Sequence, residues 1–365
     1  MSTSTTDTQD TVGTARLTKR EARSAIATGL INRFSGQSVR VIELIRECRR
    51  PDTIASALIE LEKKKEVYIE RIPRTLDNKI RKDIKSPDKV FFGCFPTVRR
   101  SSLLYKTAVE YGDYTVNHIL GCSHGCTYPC YAMNMSKRYG RVRSYEDWMR
   151  PRAVANTLDL LDQELPHFKD EIGFVHLSFM TDPFMYDPVN RRNIPWVQDL
   201  SLQVIKKLNS KGIRVTVLTK GIYPRILKDS DFSRENEYGI TVVSLDPSFH
   251  AEYEPFSPTP MRRINALKKL SEAGLKTWVS LEPYPTSNIV KQDITVLLNR
   301  VDFVKKVIFG KWNYNPLVNG VSNSEQFYRD CSNKVVRFTQ EKGISLHIKN
   351  GTPGSLEATE SIFAT

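Results

Sequence analysis

Three cysteines fall within nine residues in Gly121-Cys122-Ser123-His124-Gly125-Cys126-Thr127-Tyr128-Pro129-Cys130-Tyr131, whereas Cys48, Cys94 and Cys331 are scattered. Thiolates are the ligands that iron–sulfur clusters and zinc require. Thiols crowded on a short glycine-bearing segment can turn their sulfurs toward one site. Their number separates the metals, because a four-iron cluster held by three protein thiolates keeps one iron open, while structural zinc takes four protein ligands. Zinc would need His124 as the fourth, and its place between Cys122 and Cys126 is tight for tetrahedral coordination. Thiols that must stay available as thiolates fit a reducing compartment better than a disulfide scaffold.

These cysteines need elements to position them. They directly follow an apolar run ending at Leu120, and β-rich runs then alternate with amphipathic helical patterns. Strands are expected over residues 115–120, 172–179, 213–219, 239–245, 275–281 and 304–309, with helices over 153–164, 196–210, 261–273 and 323–342. This alternation predicts an α/β fold, a partial (β/α)6 TIM-like barrel over residues 114–350, with its chemistry on loops at the carboxyl ends of the strands. Polar residues stand at those ends: Thr181, Asp182, Lys220, Ser244, Asp246, Ser280 and Glu282. Each has a structural alternative. Asp182 before Pro183 is an ordinary turn starter, and the others can cap the loops that follow. Lys220, at the end of an apolar strand, must find an anion or reach solvent. His118 and His176 lie within strands and read as packing residues, and Trp278, Phe309, Trp312 and Tyr314 as core or pocket lining.

The chain of 365 residues has room for two domains. Residues 1–15 read as a disordered tail, 16–76 as a basic, winged-helix-like α+β domain, 77–113 as a linker leading into the barrel, and 351–365 as a C-terminal tail. Helical patterns carry Ala22, Ile26 and Leu30, then Val39, Val41, Ile42 and Ile45, then Ile54, Leu58 and Leu61, before a strand over 66–72. The charge is concentrated here: residues 16–110 hold 22 Lys or Arg against 12 Asp or Glu, most of the whole-chain surplus of +13. DNA or RNA is the leading partner for such asymmetry, with Lys63, Lys64 and Lys65 at the end of the recognition-type helix. An acidic protein partner or a solvated face would look alike, and the lysine run also complements the helix dipole. At 40% hydrophobic and 26% charged residues the chain is an ordinary globular one. Its apolar runs fall short of the roughly 20 residues that span a bilayer, and the Ser/Thr-rich start lacks an apolar signal core, so a cytoplasmic protein without a membrane partner is expected.

The cysteine loop, its place after the first barrel strand and the later strand-end motifs resemble the radical S-adenosylmethionine (SAM) superfamily. Among its branches, the one related to spore photoproduct lyase is most similar, over roughly residues 114–348. The superfamily usually places three residues between the first two cysteines and two between the last pair; here Thr127-Tyr128-Pro129 makes the second gap three. The resemblance implies a 4Fe–4S cluster on Cys122, Cys126 and Cys130, SAM at its open iron, and a reductant such as flavodoxin or ferredoxin. By the same resemblance Thr181 and Asp182 lie near the SAM amino group, Lys220 pairs with its carboxylate, and Ser244, Asp246, Ser280 and Glu282 meet its ribose or sulfonium. The lyase's hydrogen-donating cysteine corresponds to Phe179 here, which leaves Tyr128 and Cys331 as donor candidates. A nucleic acid, a peptide and a small metabolite all stay open as substrates. The competing expectation is a winged-helix DNA-binding regulator with a redox-sensing iron–sulfur or zinc site.

Overall fold

The computed structural model describes residues 18–40, 43–44, 51–64, 66–70, 89–92, 95–128, 130–188, 190–313 and 315–354. They form two compact units, residues 18–70 with 89–92, and residues 95–354. Cys48, Lys65, Cys94, Pro129, Tyr314, the tails over 1–15 and 355–365, the residues 71–88 and the side chain of Lys63 lie outside the described residues.

In the first unit α1 (Lys19–Phe34), β1 (Ser38–Arg40), α2 (Pro51–Lys63), β2 (Val67–Glu70) and β3 (Lys89–Phe92) surround a small core. Helix α1 opens on a capping box, in which the Glu21 N–H donates to the Thr18 hydroxyl at 3.2 Å and the Thr18 N–H to the Glu21 carboxylate at 2.8 Å. Ile54, Ala57, Leu58 and Leu61 recur at helical spacing on α2 and pack with Ala27, Val67, Ile69 and Val90. Strand β3 lies between β1 and β2, antiparallel to both. Residues 89–92, expected as lead-in to the second domain, instead supply the middle strand here, because Val90 turns into this apolar core. The Lys64 ammonium pairs with Glu60 one helical turn back at 3.2 Å.

The second unit begins with β4 (Thr97–Val98), β5 (Leu104–Lys106), β6 (Tyr114–Val116), β7 (Ile119–Leu120), α3 (Tyr131–Arg138), α4 (Tyr145–Trp148), β8 (Arg152–Val154) and α5 (Thr157–Phe168). It continues through β9 (Val175–Leu177), β10 (Tyr186–Asp187), β11 (Arg192–Asn193), α6 (Pro195–Ser210), β12 (Val215–Thr219), β13 (Glu237–Thr241), α7 (Pro247–Tyr253) and α8 (Pro260–Ser271). It closes with β14 (Lys276–Tyr284), α9 (Ile294–Arg300), β15 (Lys306–Lys311), α10 (Pro316–Asn319), α11 (Ser324–Lys342) and β16 (Ser345–Ile348). An eight-stranded sheet runs β5-β6-β9-β12-β13-β14-β15-β16, parallel throughout except for the β5–β6 hairpin. Strands neighbouring in space also follow in chain order, joined by crossover helices, so the unit is a mixed α/β fold.

Side-chain alternation gives this sheet two different faces. Val175, Leu177, Val215, Val217, Val279, Leu281, Val307 and Phe309 pack with helix residues such as Leu161, Ile205, Leu267, Leu298 and Val335. Their chain neighbours Thr115, His176, Thr216, Trp278, Ser280 and Lys306 therefore point to the opposite, largely polar face. The two outer strands are β5 and β16, and the turn between β5 and β6 reaches across to the far edge. There the Asn350 N–H donates to the Glu110 carboxylate at 2.9 Å, and the Tyr111 ring stands edge-on to Phe179, Trp278 and His347. These contacts curl the sheet around its polar face.

All six expected strands belong to this sheet, with two departures at its margins. The expected strand over 115–120 breaks after Val116, because the Asn117 side chain accepts from the Met180 N–H at 2.8 Å and the chain crosses to a second sheet, β4-β8-β7. Helix α5 starts later than residue 153 because β8 takes Arg152–Val154. Among the described residues no helix is long and apolar enough to cross a membrane.

Candidate active site

The cysteine loop leaves β7 and ends in α3. Gly121 and Gly125 take φ of 86° and 58°, a left-handed backbone that glycine adopts without strain. Space enforces the choice too: a Cβ on Gly121 would lie 2.7 Å from the Trp148 carbonyl oxygen, and one on Gly125 would lie 2.4 Å from the Phe256 ring. The loop is fastened along its length. Cys122 N–H donates to Trp148 O at 2.9 Å, the Tyr145 hydroxyl to Gly125 O at 2.8 Å, Thr127 N–H to Tyr253 O at 3.1 Å and Phe256 N–H to His124 O at 3.3 Å.

The three thiols share one electrostatic neighbourhood. Burial holds the Cys122 thiol well above its ordinary pKa, and Asp182, Cys126 and Cys130 add to the effect. Burial also pushes Cys126 up to about 12, opposed by the nearby Lys220 ammonium and reinforced by Glu254 and Cys130. Cys122 and Cys130 pack against the Ala132, Val142 and Trp148 cluster beside Met180. Cys130 is the N-cap residue of α3. Without metal, desolvation favours the protonated thiols of Cys122 and Cys126; bound iron would reverse that balance, and a three-thiol donor set fits a thiolate-ligated cluster.

His124 does not complete a zinc site. The buried ring accepts the Tyr186 N–H at Nε2 across 2.8 Å, which leaves the proton on Nδ1, 3.4 Å from the Asp182 carboxylate. Both nitrogens are engaged within the protein. Among the described residues no three Cys, His, Asp or Glu side chains converge as ligands of one ion. A cuboidal cluster makes a different demand, since each thiolate binds its own iron.

Thr181 and Asp182 close on this loop from the end of β9, where Ser178 turns the chain with a left-handed φ of 69°. The Thr181 hydroxyl donates to Gly121 O. Asp182 Oδ1 accepts from the Thr219 hydroxyl at 2.6 Å and the Phe184 N–H at 2.9 Å, and Oδ2 from the Lys220 N–H at 2.7 Å. Burial alone would raise the Asp182 pKa, but His124 and these donors hold it below the usual carboxylate range. Both residues, expected beside the SAM amino group, are thus used to fasten the loop.

Lys220 ends β12 with its ammonium 5.3 Å from the centre of the Tyr128 ring. Burial would lower its pKa, but Cys126 and Glu254 outweigh that and raise it, so it stays an ammonium. Among the described residues it makes no ion pair within 4 Å. The Tyr128 hydroxyl donates to Glu254 Oε1 at 3.1 Å, while Glu254 Oε2 pairs with Arg263, and this ion pair is buried. Neither Glu254 nor Arg263 stands out in the strand-end pattern. The available signal was an arginine at a core position of α8, in helical register with Leu267 and Leu270.

The remaining candidates differ in what their side chains leave free. Asp246 is the N-cap of α7, accepting from Ser248 N–H at 2.7 Å and Phe249 N–H at 3.0 Å, and the Ser244 hydroxyl accepts the Asp246 N–H at 3.1 Å. Ser280 faces the polar side between Thr241 and Ile308 in register. Glu282 pairs with Lys349 at 2.7 Å, although burial keeps its pKa raised. Cys331 is buried on α11 in the helix-side core, its thiol pushed up to about 12 by burial. Phe179 lies flat on His176 at 3.7 Å. His118 is held neutral by burial between Ser201 at 2.8 Å and Ser178 at 3.3 Å, as a packing histidine should be, whereas both ring nitrogens of His176 lack a hydrogen-bond partner in the structure.

The parallel sheet carries a fastened three-cysteine loop at its carboxyl end, and residues 116–294 match the model of the radical SAM superfamily, a family whose cofactors are a 4Fe–4S cluster and SAM. An uncharacterized protein of the Acidianus two-tailed virus is 26% identical over 238 residues, covering 60% of this chain and 74% of the relative. One from Methanocaldococcus jannaschii is 29% identical over 181 residues, and the match spans 48% of this chain and 62% of that relative. The structure of spore photoproduct lyase complexed with dinucleoside spore photoproduct is similar in fold, with a TM-score of 0.50 at 14% identity, over 69% of this chain and 81% of that one.

Proposed function

We propose that this protein is a radical SAM enzyme whose cluster is bound by Cys122, Cys126 and Cys130 at the mouth of a partial (β/α)6 barrel. What supports this reading is the match of residues 116–294 to the radical SAM model, together with three cysteines on one short fastened loop whose Tyr128 ring lies 5.3 Å from the Lys220 ammonium. Cys122, Cys126 and Cys130 would hold the cluster, which when bound would supply one-electron reduction of SAM, the chemistry that yields methionine and a 5′-deoxyadenosyl radical able to take hydrogen from a substrate. The chain's own part is to bind, orient and exclude water. Lys220 offers its ammonium to the methionine carboxylate. Ser280 and Glu282, on the polar face, are the side chains suited to the ribose or sulfonium. Asp246 shapes the same rim by capping α7, with Ser244 accepting the Asp246 N–H, and Thr181 and Asp182 hold the loop. A one-electron donor of the flavodoxin or ferredoxin kind, in the cytoplasm, meets the need for a reductant.

This chain differs from the lyase in one group that the lyase's route requires. Repair by the lyase's route uses a thiol where this chain has Phe179, stacked on His176. Cys331 is on the helix side of the sheet, so Tyr128, beside Cys126, is the better placed hydrogen donor. The first unit, with β3 between β1 and β2 behind α2, suits a winged-helix-like module, and the positive charge of residues 16–110 makes nucleic acid the first substrate class to try.

The test is anaerobic reconstitution of the full chain and of Cys122→Ala, Cys126→Ala and Cys130→Ala. The reading expects about four irons per wild-type chain, an electron paramagnetic resonance signal after reduction that SAM perturbs, and loss of both in each variant. Bound zinc in place of iron would overturn it.

A further inference from the structure

We infer that Arg263 is a positioning residue that keeps Lys220 free for an anionic ligand by occupying Glu254. The inference rests on the reading of Lys220 as the group that receives the SAM carboxylate. Three charged side chains meet behind the cysteine loop: Lys220 at the end of β12, Glu254 after α7 and Arg263 on α8. Lys220 and Glu254 sense one another, and each favours the charged form of its partner. Two opposite charges in so buried a place would join directly if nothing intervened, because the loss of solvent strengthens their attraction. Arg263 intervenes. Its guanidinium donates to the Glu254 carboxylate and to Ser257 Oγ at 3.1 Å through one nitrogen, to Thr241 O at 2.7 Å through another, and to Pro258 O at 2.9 Å through Nε.

That geometry leaves little freedom. The planar fork of Arg263 matches its four partners, and the buried side chain cannot exchange them for water. The second carboxylate oxygen of Glu254 accepts from the Tyr128 hydroxyl at 3.1 Å. Both oxygens of Glu254 are therefore occupied, and Lys220 is left over the Tyr128 ring with no carboxylate of its own. An ammonium held by a ring face and charged neighbours, but not by an ion pair, is poised for a carboxylate brought by a ligand. Removing Arg263 would release Glu254 to take Lys220, and the incoming carboxylate would have to displace it.

The experiment measures SAM affinity by isothermal titration calorimetry on anaerobically reconstituted full-length protein, with iron content and far-ultraviolet circular dichroism as controls. Lys220→Met tests the underlying reading: unchanged affinity there removes the anion role of Lys220, and the inference with it. With Lys220→Met weakened, Arg263→Gln is expected to weaken SAM about tenfold or more, since a carboxylate then competes inside the site. The double variant Arg263→Gln/Glu254→Gln is expected to recover to within about threefold of wild type, because the competitor is gone. Arg263→Lys retains the opposing charge and is expected to bind nearly as wild type, which judges the inference even where Arg263→Gln does not fold. A double variant as weak as the single one at equal iron content, or an Arg263→Lys as weak as Lys220→Met, would overturn it.

Discussion

Asp182, at the end of β9, faces His124, inside the cysteine loop, across 3.4 Å, and the same carboxylate takes donors from Thr219 and Lys220 on the next strand end. One buried carboxylate thereby couples the position of the cysteine loop to that of the lysine beside it. Asp182→Ala leaves the Thr219 hydroxyl and the Phe184 and Lys220 N–H groups without their acceptor. At about 1–3 kcal/mol for a buried donor left unpaired, a fall of several kcal/mol is expected, read as a lower denaturant midpoint together with reduced iron uptake. Asp182→Asn, which keeps an acceptor, should retain more of both. Equal iron uptake by wild type and Asp182→Ala would remove the coupling.

Gly125→Ala should be costly for two independent reasons, the left-handed φ of 58° and the Phe256 ring 2.4 Å from the new Cβ. Strain of this kind runs to about 1–3 kcal/mol. Thermal unfolding should shift down, and the variant should take up less iron than Gly140→Ala, whose backbone is equally left-handed but whose surroundings are open. Matching behaviour of the two variants would show that the Phe256 ring is immaterial.

The pH dependence of stability should carry the mark of Glu254. Burial would raise its pKa, but Arg263 and Lys220 reverse this and hold it below the ordinary value. A carboxylate with a depressed folded-state pKa stabilises above its unfolded pKa of about 4.3, and that contribution is lost as pH falls toward the folded value. Urea midpoints should therefore drop on acidification below about pH 4, more steeply for wild type than for Arg263→Gln/Glu254→Gln. Parallel profiles would contradict the assignment.

Nucleic-acid binding by the first unit predicts a salt-dependent mobility shift of DNA or RNA that weakens when Lys63, Lys64 and Lys65 are replaced by Ala. Each lysine that neutralises a phosphate should, on removal, flatten the slope of log affinity on log salt by about 0.9 on duplex DNA. Binding that ignores salt or survives the triple substitution would argue against this interface.

Much of this organisation was legible in the residues. Period-two runs such as Val215, Val217 and Thr219 disclosed the parallel strands, and the crowding of Cys122, Cys126 and Cys130 disclosed the site, because local pattern determines both. The strand over 89–92 was misplaced because Val90 packs on Ile54 and Leu58, partners that no local periodicity reveals. Strand-end polarity does not separate the two uses of a carboxylate: Asp246 caps α7 and Asp182 takes donors from Thr219 and Lys220, while a carboxylate that meets a ligand has the same sequence signature. The Glu254–Arg263 pair went unseen for a related reason: a charge opposite a distant charge leaves only an arginine on an apolar helix face.

The most direct measurement is the product formed from SAM by the anaerobically reconstituted, reduced protein. The account predicts 5′-deoxyadenosine and methionine in equal amounts, at levels lost in Cys122→Ala and strongly reduced in Lys220→Met. An intact, reduced cluster that leaves SAM uncleaved under these conditions would contradict it.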